Sequence, residues 1–272
     1  MPPTNDSFWE GLHLGRPRTE PPQSWPPPEQ GLQHWMAQLG EDGSPILVLR
    51  GSPSHRAEAY GWLRQSDYPV MGRDGWLGVG PLADFAFHIS RLGGDWSLLW
   101  GLCDVQEFIV DEPLRGMVDE GGRYAELFKA LWEVRFLLDE GNDVRPFVRA
   151  LTRWMVEGQL TEPLQRLRIN STPNQRERAD LLLFLLTLAR QNSLTGPLVF
   201  VFDSLERAVQ QSPEARKPLL TGLLTLVEAV EHWVPLGSPV GLLIGMPNQR
   251  KTLSRLRRHN VRLHRRLRSH GV

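Results

Sequence analysis

Residues 197–206 read PLVFVFDSLE and give the clearest indication of the fold of this chain. Its five residues from Leu198 to Phe202 are apolar without interruption, and Asp203 follows them directly. An apolar run of this length is typical of a strand that is buried on both faces, as in a parallel sheet. Ligands of such sheets bind at the carboxyl ends of the strands. We therefore expect a functional site at the edge of the sheet that Asp203 marks.

Two further stretches show the same buried-strand pattern: Ile-Leu-Val-Leu-Arg at residues 46–50 and Gly-Leu-Leu-Ile-Gly at residues 241–245. Apolar residues at helical spacing predict helices between and around them. These helices are expected at residues 31–39, 56–64, 82–92, 124–138, 144–156, 176–191, 213–233 and 248–259. Strands that alternate with helices predict an α/β fold, a parallel sheet with helices on both faces.

Four segments are less regular. Short strands are predicted at residues 76–79 and 261–264, whereas residues 96–110 are compatible with either a strand or a helix. The long helix at residues 213–233 is expected to be interrupted near Pro218, because proline lacks the N–H that an interior helical position needs.

The chain is expected to divide into three parts. Residues 1–30 are rich in proline and predict an extended arm, which either lies along its own domain or binds a partner. Residues 31–247 form the α/β domain, with a helical insertion at about residues 82–170 between the first two predicted strands. Residues 248–272 form a basic C-terminal segment.

Composition excludes several classes of site. Cys103 is the one cysteine of the chain, so neither an intramolecular disulfide nor a zinc site with several cysteine ligands can form. It lies in an apolar run, which predicts a buried and unreactive thiol. The amino terminus lacks a signal-peptide pattern, and no stretch approaches the ~18 consecutive apolar residues of a membrane span. We therefore expect a cytoplasmic protein that does not enter a membrane.

The order of the predicted strands, loops and helices resembles the P-loop NTPases of the AAA and RecA-like branch. In that family the first strand leads into a phosphate-binding loop, a later strand ends at a magnesium-binding aspartate, and the next carries a polar sensor residue. The resemblance covers roughly residues 44–264, and Asp203-Ser204 is similar to the end of the corresponding strand in RecA-like proteins. It implies a P-loop-like fold with ATP and Mg²⁺ as cofactors.

The resemblance also implies a set of site residues. It makes Asp203 the magnesium ligand, with Asp203 and Glu206 as catalytic acids, and Asn248 or Gln249 as the sensor. Nucleotide contacts would come from the loop after the first strand, through Gly51, Ser52, Ser54, His55 and Arg56.

That loop departs from the pattern of a working phosphate loop, which reads GxxxxGK[ST]. The chain has GSPSHR at residues 51–56, so the second glycine and the lysine are missing and Pro53 removes one N–H donor. Arg56 replaces the lysine imperfectly, because a planar guanidinium differs from a compact ammonium. The sequence therefore predicts a degenerate site, with no cofactor at all if the degeneration is complete. In the alternative interpretation, Asp203 or Ser204 merely caps a helix in an unrelated α/β fold.

The C-terminal segment concentrates positive charge without any acidic residue. Its candidate contact residues are Arg250, Lys251, Arg255, Arg257, Arg258, Arg262, Arg265, Arg266 and Arg268. Such a cluster can neutralise the phosphates of DNA in a salt-dependent manner. Two alternatives remain open: the arginines contact a neighbouring subunit, or the interleaved leucines pack on the domain and leave the arginines solvated.

These observations lead to three functional hypotheses. The first is a degenerate AAA or RecA-like P-loop protein, which acts as a nucleotide-responsive or structural subunit of a larger assembly or homo-oligomer that handles DNA. The second is a non-enzymatic protein-interaction module without nucleotide. The third is an active NTPase whose missing elements come from a neighbouring chain.

Overall fold

A computed structural model describes residues 28–39, 44–65, 70–73, 80–92, 97–105 and 107–270. The strand predicted at residues 76–79 and residues 1–27 of the predicted arm lie outside these ranges. The prediction of an arm is wrong at its end, because a helix already begins at Pro28. Proline is well suited to the first turn of a helix, where its missing N–H would have no partner.

The elements alternate between strands and helices along the described chain. In order they are α1 (Pro28–Ala37), β1 (Ile46–Arg50), α2 (Pro53–Gln65), β2 (Val70–Arg73), α3 (Pro81–Ser90), α4 (Ser97–Asp104), α5 (Glu112–Asp119), α6 (Gly122–Asp139), α7 (Arg145–Glu157), α8 (Glu162–Arg166), α9 (Gln175–Gln191), β3 (Leu198–Phe202), α10 (Leu205–Gln210), α11 (Pro213–Trp233), β4 (Val240–Met246), α12 (Arg250–His259) and α13 (Val261–Ser269). The sequence of residues 96–110 is compatible with a strand or a helix, and the structure shows that Ser97–Asp104 of this segment form the helix α4.

The described strands form one four-stranded parallel sheet in the order β1-β4-β3-β2. This confirms the predicted α/β class and its parallel sheet. The sequence did not reveal β2, which is only four residues long. Its Gly72 has a φ of 80°, and a Cβ there would lie 2.6 Å from the carbonyl oxygen of Val201. Glycine therefore lets β2 pair closely with β3.

Both faces of the sheet are covered by helices, as predicted. Leu47, Val199 and Leu243 point to the face that α1 and α2 cover. Phe200 and Ile244 point to the opposite face, where the remaining helices pack. Successive residues of a strand point to opposite faces, so each buried strand contributes to both layers.

The helices between β2 and β3 belong to the main core. Phe85 of α3 packs on Phe200 of β3 with ring centroids 4.4 Å apart, and the fully buried Trp154 and Phe184 lie in the same apolar cluster. This helical region runs from Pro81 to Gln191, which is longer than the predicted insertion, and it shares one continuous core with the sheet.

The helix α11 continues through Pro218, so the predicted interruption is wrong. Pro218 is the sixth residue of this helix, so the helix continues although Pro218 lacks the N–H that would bond to the Glu214 carbonyl oxygen. Residues Pro213–Leu236 are long and apolar enough to span a membrane, but half of the 18-residue window that meets the hydropathy criterion is buried in the protein. Leu223 and Val230 lie in the core. Because core helices meet the same criteria, these properties are weak evidence for a membrane span.

The C-terminal segment folds back on the domain as two helices. The strand predicted at residues 261–264 is wrong, because Val261 begins α13 and the Asn260 side chain caps this helix by accepting a hydrogen bond from the Leu263 amide. Leu256, Leu263 and Leu267 are completely buried in the main core. The leucines of this segment therefore anchor it.

The prediction for the single cysteine is confirmed. Cys103 lies in α4 and is buried. Burial, with a smaller contribution from Asp104, raises the pKa of its thiol to about 12. The thiol therefore stays protonated and unreactive at neutral pH.

Candidate functional site at the carboxyl edge of the sheet

Asp203 lies where the sequence predicts it, directly after β3 at the carboxyl edge of the sheet. Its Oδ1 accepts a hydrogen bond from Arg56 Nε at 2.7 Å and another from the Tyr60 hydroxyl at 2.7 Å. Its Oδ2 accepts a third from Ser204 Oγ at 3.2 Å. With 7% of its surface exposed, Asp203 is a buried carboxylate held by donors of its own chain.

Arg56 is the centre of this cluster and is only 1% exposed. Besides the bond to Asp203, its Nη2 donates to Glu206 Oε1 at 3.0 Å and its Nη1 to the Gly51 carbonyl oxygen at 2.9 Å. Burial lowers the pKa of Arg56, but the charges of Asp203 and Glu206 raise it above its ordinary value. Arg56 is therefore a permanent cation that lies between two carboxylates.

Local structure explains how these groups meet. Arg56 and Tyr60 are one turn apart on α2, so both side chains face the same part of the sheet. Gly245 of β4 lies beneath them: a Cβ at this position would be 2.1 Å from both Asp203 Oδ1 and the Tyr60 oxygen. The bond between Tyr60 and Asp203 thus requires a residue without a side chain on the intervening strand.

The cluster fills a topological switch point of the sheet. β1 and β4 are neighbours, but β1 leads to α2 on one face and β4 leads to α12 on the other. In open α/β sheets, ligands bind in the crevice at such a point. Arg56 extends from the Gly51 carbonyl at the end of β1, past Gly245, to Asp203 at the end of β3. Its guanidinium therefore occupies the place where a ligand of this fold would be expected.

The loop predicted to bind phosphate is shorter than expected. The prediction of a loop at residues 51–55 is wrong, because α2 begins at Pro53 and leaves only Gly51 and Ser52 in the connection. The Gly51 amide donates to the Met246 carbonyl, and the His55 amide donates to Ser52 Oγ. A phosphate loop surrounds its anion with several backbone N–H groups. In this chain the Gly51 amide bonds to β4 and the His55 amide bonds to the cap of α2, so neither is free to bind phosphate.

The structure brings together only part of the predicted nucleotide site. Ser52 and Ser54 are exposed, and their hydroxyl oxygens are 2.8 Å apart. His55 is also exposed, with Nδ1 3.3 Å from Ser52 Oγ. The predicted sensors Asn248 and Gln249 are exposed at the start of α12. Of the predicted set, the connected group thus comprises Arg56, Asp203, Glu206 and the Gly51 carbonyl oxygen.

Sequence reasoning missed Tyr60 and Gly245, although both left a signal. Tyr60 follows Arg56 by one helical turn and therefore lies on the same face. A glycine inside an apolar strand often marks a place where another group approaches the backbone closely, as Gly245 does.

The interpretation of Asp203 or Ser204 as an ordinary helix cap is also wrong. Ser204 is the N-cap residue of α10, but its side chain accepts no capping hydrogen bond and its φ of 64° is left-handed. Its hydroxyl donates to Asp203 instead. The Asp203 carboxylate serves Arg56 and Tyr60, which are about 145 positions away in sequence.

Asp203 and Glu206 do not fit a magnesium ion in this arrangement. Mg²⁺ requires near-octahedral oxygen ligands at about 2.0–2.1 Å. Asp203 Oδ1 already accepts two hydrogen bonds and Oδ2 accepts one, while Arg56 places a positive charge between the acids. Among the described residues there is also no group of three or more His, Cys, Asp or Glu side chains that could hold a metal ion.

A separate cleft of about 380 Å³ lies among the helices. Pro81, Val156, Arg178 and Pro218 contribute to its lining, and the predicted site residues do not. Arg178 uses Nη1 to donate to the Val156 carbonyl at 2.8 Å. The cleft is therefore distinct from the cluster around Asp203.

The basic residues of the C-terminal helices fall into two groups. Arg262 Nε lies 2.8 Å from Glu228 Oε1 as an ion pair without hydrogen-bond geometry, and Arg266 Nη1 lies 3.2 Å from Glu231 Oε2. The other seven cations of the predicted contact set are exposed, and the described part of the chain offers them no ion pair. These seven are Arg250, Lys251, Arg255, Arg257, Arg258, Arg265 and Arg268.

Comparisons with family models, with curated protein sequences and with solved structures give no match for this chain. The geometry of the two charged regions is therefore the basis for a functional proposal.

Proposed function

We propose that this chain is a P-loop-like protein that does not hydrolyse nucleotide and serves as a structural subunit of an assembly that handles DNA. The observation that carries this proposal is the buried Arg56 guanidinium, which pairs with Asp203 at 2.7 Å and Glu206 at 3.0 Å. The acids that would hold magnesium and activate water are thereby committed to an internal cation.

Two physical arguments support the absence of hydrolysis. Phosphoryl transfer depends on groups that are positioned to stabilise charge on the transferred phosphoryl group. Arg56 could supply such charge only if it left two carboxylates, and unpaired buried charges are costly. In addition, Pro53 carries no N–H and the Gly51 amide donates to Met246, so the short loop has few donors for phosphate.

The structural role is supported by the way the chain uses its switch point. Arg56, Tyr60, Asp203 and Glu206 connect α2 with the ends of β1 and β3 and with α10. The same residues that would bind a nucleotide in a related fold thus join parts of the sheet. The exposed cations of α12 and α13 provide the surface through which such a subunit would contact DNA.

The proposal is tested by thermal unfolding of the purified chain with and without about 1 mM Mg–ATP. A site with a Kd of about 10 μM would stabilise the protein by about 2.7 kcal/mol at this concentration, which corresponds to roughly 5–10 °C for a chain of this size. We expect no measurable shift and no phosphate release. Phosphate release that Asp203→Asn abolishes would contradict the proposal.

An NTPase whose missing elements come from a neighbouring chain would be active only as an oligomer. The ATPase assay is therefore repeated at protein concentrations at which sedimentation shows self-association, if it occurs. Turnover that appears only in the oligomer and is lost with Asp203→Asn would assign the protein to the NTPases completed by a neighbouring chain.

A second candidate function, a protein-interaction module, is favoured by exposed apolar side chains. Ile109 is 62% exposed and Phe136 is 63% exposed, while Trp132 contacts Phe108 at a centroid distance of 5.1 Å. Trp132 and Phe136 are one turn apart on α6, and adjacent exposed apolar side chains are typical of protein interfaces. Lower self-association of the Phe136→Ser variant, without any DNA binding by the native chain, would favour this module over the DNA-handling subunit.

A further inference from the structure

We infer that the outward face of α12 and α13 binds the phosphate backbone of duplex DNA without reading its sequence. This inference rests on the proposed role in a DNA-handling assembly and names the contact surface. Its residues are Lys251, Arg255 and Arg258 on α12 and Arg265 and Arg268 on α13, all of which are exposed. This set is called the basic face.

The basic face is presented by helices that are fixed to the domain. Leu256 of α12 and Leu263 and Leu267 of α13 are completely buried in the main core. The Asn260 side chain caps α13 and also donates to the Leu220 carbonyl of α11 at 3.4 Å. The cations therefore project from an anchored scaffold, which lowers the conformational entropy lost when they bind a partner.

The spacing of the cations suits a repeating polyanion. Lys251, Arg255 and Arg258 follow one another at four and three positions on α12, so they form a row about 10 Å long at a rise of 1.5 Å per residue. Duplex DNA carries about one negative charge per 1.7 Å of its axis. A row of this length therefore meets several phosphates, and Arg265 and Arg268 add a second pair one turn apart on α13.

Charge and composition favour a duplex over a single strand. Residues 248–272 contain no Phe, Tyr or Trp, whereas proteins that bind single strands stack bases on aromatic side chains. Arginine, which forms bidentate bonds with phosphate, supplies four of the five cations of the basic face. Because phosphate contacts carry no sequence information directly, we expect binding without sequence preference.

The chain itself shows which cations are committed elsewhere. Glu228 and Glu231 of α11 form ion pairs with Arg262 and Arg266 of α13, whose side chains are 70% and 47% exposed. In the described residues these carboxylates do not form ion pairs with the basic face. These two acids are thus paired with Arg262 and Arg266, while the basic face remains accessible to an external anion.

The test measures fluorescence anisotropy of a labelled duplex of about 20 bp at several KCl concentrations. Five phosphate contacts predict a loss of affinity of about 500-fold between 50 and 200 mM KCl, since the slope is about −0.9 per contact. The double substitution Arg255→Gln with Arg258→Gln should reduce this loss to about 40-fold. A duplex of different sequence should bind equally well.

A matched double substitution removes the same charge elsewhere. Arg149 and Arg153 are exposed and one turn apart on α7, and their replacement by Gln should leave both affinity and salt dependence near those of the native chain. Equal losses in both double variants would overturn the inference, because the effect would then be one of net charge. Native thermal stability in each variant shows that the helices remain folded.

Other probes distinguish duplex DNA from the other possible ligands of the basic face. A single strand that binds as tightly as the duplex would overturn the inference, and so would a poly-glutamate peptide that binds more tightly, since it would indicate an acidic protein partner. If the native chain binds duplex and the Arg255–Arg258 variant binds equally well, DNA uses another surface, and the inference fails while the proposed function stands. ATP turnover that depends on Asp203 would contradict the proposed function without changing the duplex measurements.

Discussion

The carboxyl edge of the sheet and the C-terminal helix pair both place arginines beside carboxylates, but they use the charges differently. The Arg56 side chain is 2% exposed and meets Asp203 and Glu206, whose side chains are 10% and 20% exposed. The Arg262 side chain is 70% exposed above Glu228. The Arg56–Asp203 and Arg262–Glu228 pairs are of similar length, at 2.7 and 2.8 Å, but the first is buried and hydrogen-bonded whereas the second is exposed and lacks hydrogen-bond geometry.

This difference in burial distinguishes charges that stabilise the fold from charges that can bind an external partner. A buried ion pair is hard to dismantle, because removing one partner leaves an uncompensated charge in a medium of low dielectric constant. An exposed pair is weak, because water and salt screen both charges in either state. Arg56 therefore fills the site at the sheet edge. The exposed cations of the basic face are hydrated and can bind an external anion in place of water.

Replacing Arg56 is expected to give the largest effect. Arg56→Met should lower the free energy of unfolding by about 3–5 kcal/mol, since Asp203 and Glu206 would lose their shared cation. Arg56→Lys should recover part of the loss, because an ammonium keeps the charge but cannot reproduce three directed bonds. Urea denaturation followed by circular dichroism measures both values.

The exposed Arg207 of α10 provides the control for this comparison. Arg207→Met removes the same charge from the helix that carries Glu206 and should change stability by no more than about 0.5 kcal/mol. If Arg56→Met costs as little as the control, Arg56 is dispensable for folding, and the switch point is open to a ligand after all.

Gly245 should show an intermediate effect. The Gly245→Ala substitution places a Cβ 2.1 Å from Asp203 Oδ1 and the Tyr60 oxygen, and such overpacking costs about 1–3 kcal/mol. Gly61→Ala is the matched control: Gly61 lies in α2, and a Cβ added there would meet nothing within 4 Å, so alanine should stabilise the helix by about 0.5–1 kcal/mol. Opposite signs in thermal melts would support the close approach, whereas stabilisation by both alanines would disprove it.

The exposed pair of Arg262 and Glu228 should give the smallest effect. A double-mutant cycle with Arg262→Ala and Glu228→Ala is expected to yield a coupling energy of about 0.2–1 kcal/mol at low salt and less at high salt. A coupling energy above about 2 kcal/mol would place this pair in the same class as the sheet-edge cluster. The simple division by burial would then be wrong.

Local pattern predicts most of the fold, and its failures have identifiable causes. The strands β3 and β4 are apolar throughout and β1 is apolar as far as Leu49. In contrast, β2 is four residues long and is stabilised by pairing with β3, which Gly72 permits. The segment that begins at Val261 resembles a strand in sequence because Val261 and Leu263 alternate with polar residues. Leu263 and Leu267 are one helical turn apart, and both are buried in the core. Their burial on one face stabilises a helix at this position instead of a strand.

The candidate site is predictable only in part. The position of Asp203 at a strand end follows from the apolar run that precedes it. Arg56 is recognisable as the cation nearest to the position of the lysine in the phosphate-loop pattern GxxxxGK[ST]. The bond between them cannot be predicted from the sequence, because it joins residues 147 positions apart and depends on the order in which β1, β4 and β3 pair. Tyr60 and Gly245 acquire their roles only through the same pairing.

Three features can be read directly from the amino-acid sequence: the alternation of buried strands with amphipathic helices, the acid at the end of β3, and the charge of the C-terminal segment. Each of these follows from residues close together in the chain, through hydrophobic periodicity and composition. Two other features depend on how distant segments pack: the pairing of Arg56 with Asp203 and Glu206, and the exposure of Arg262 beside Glu228. The reason is physical: the energy of a charge depends on its burial and its partners, and both are set by how distant segments pack.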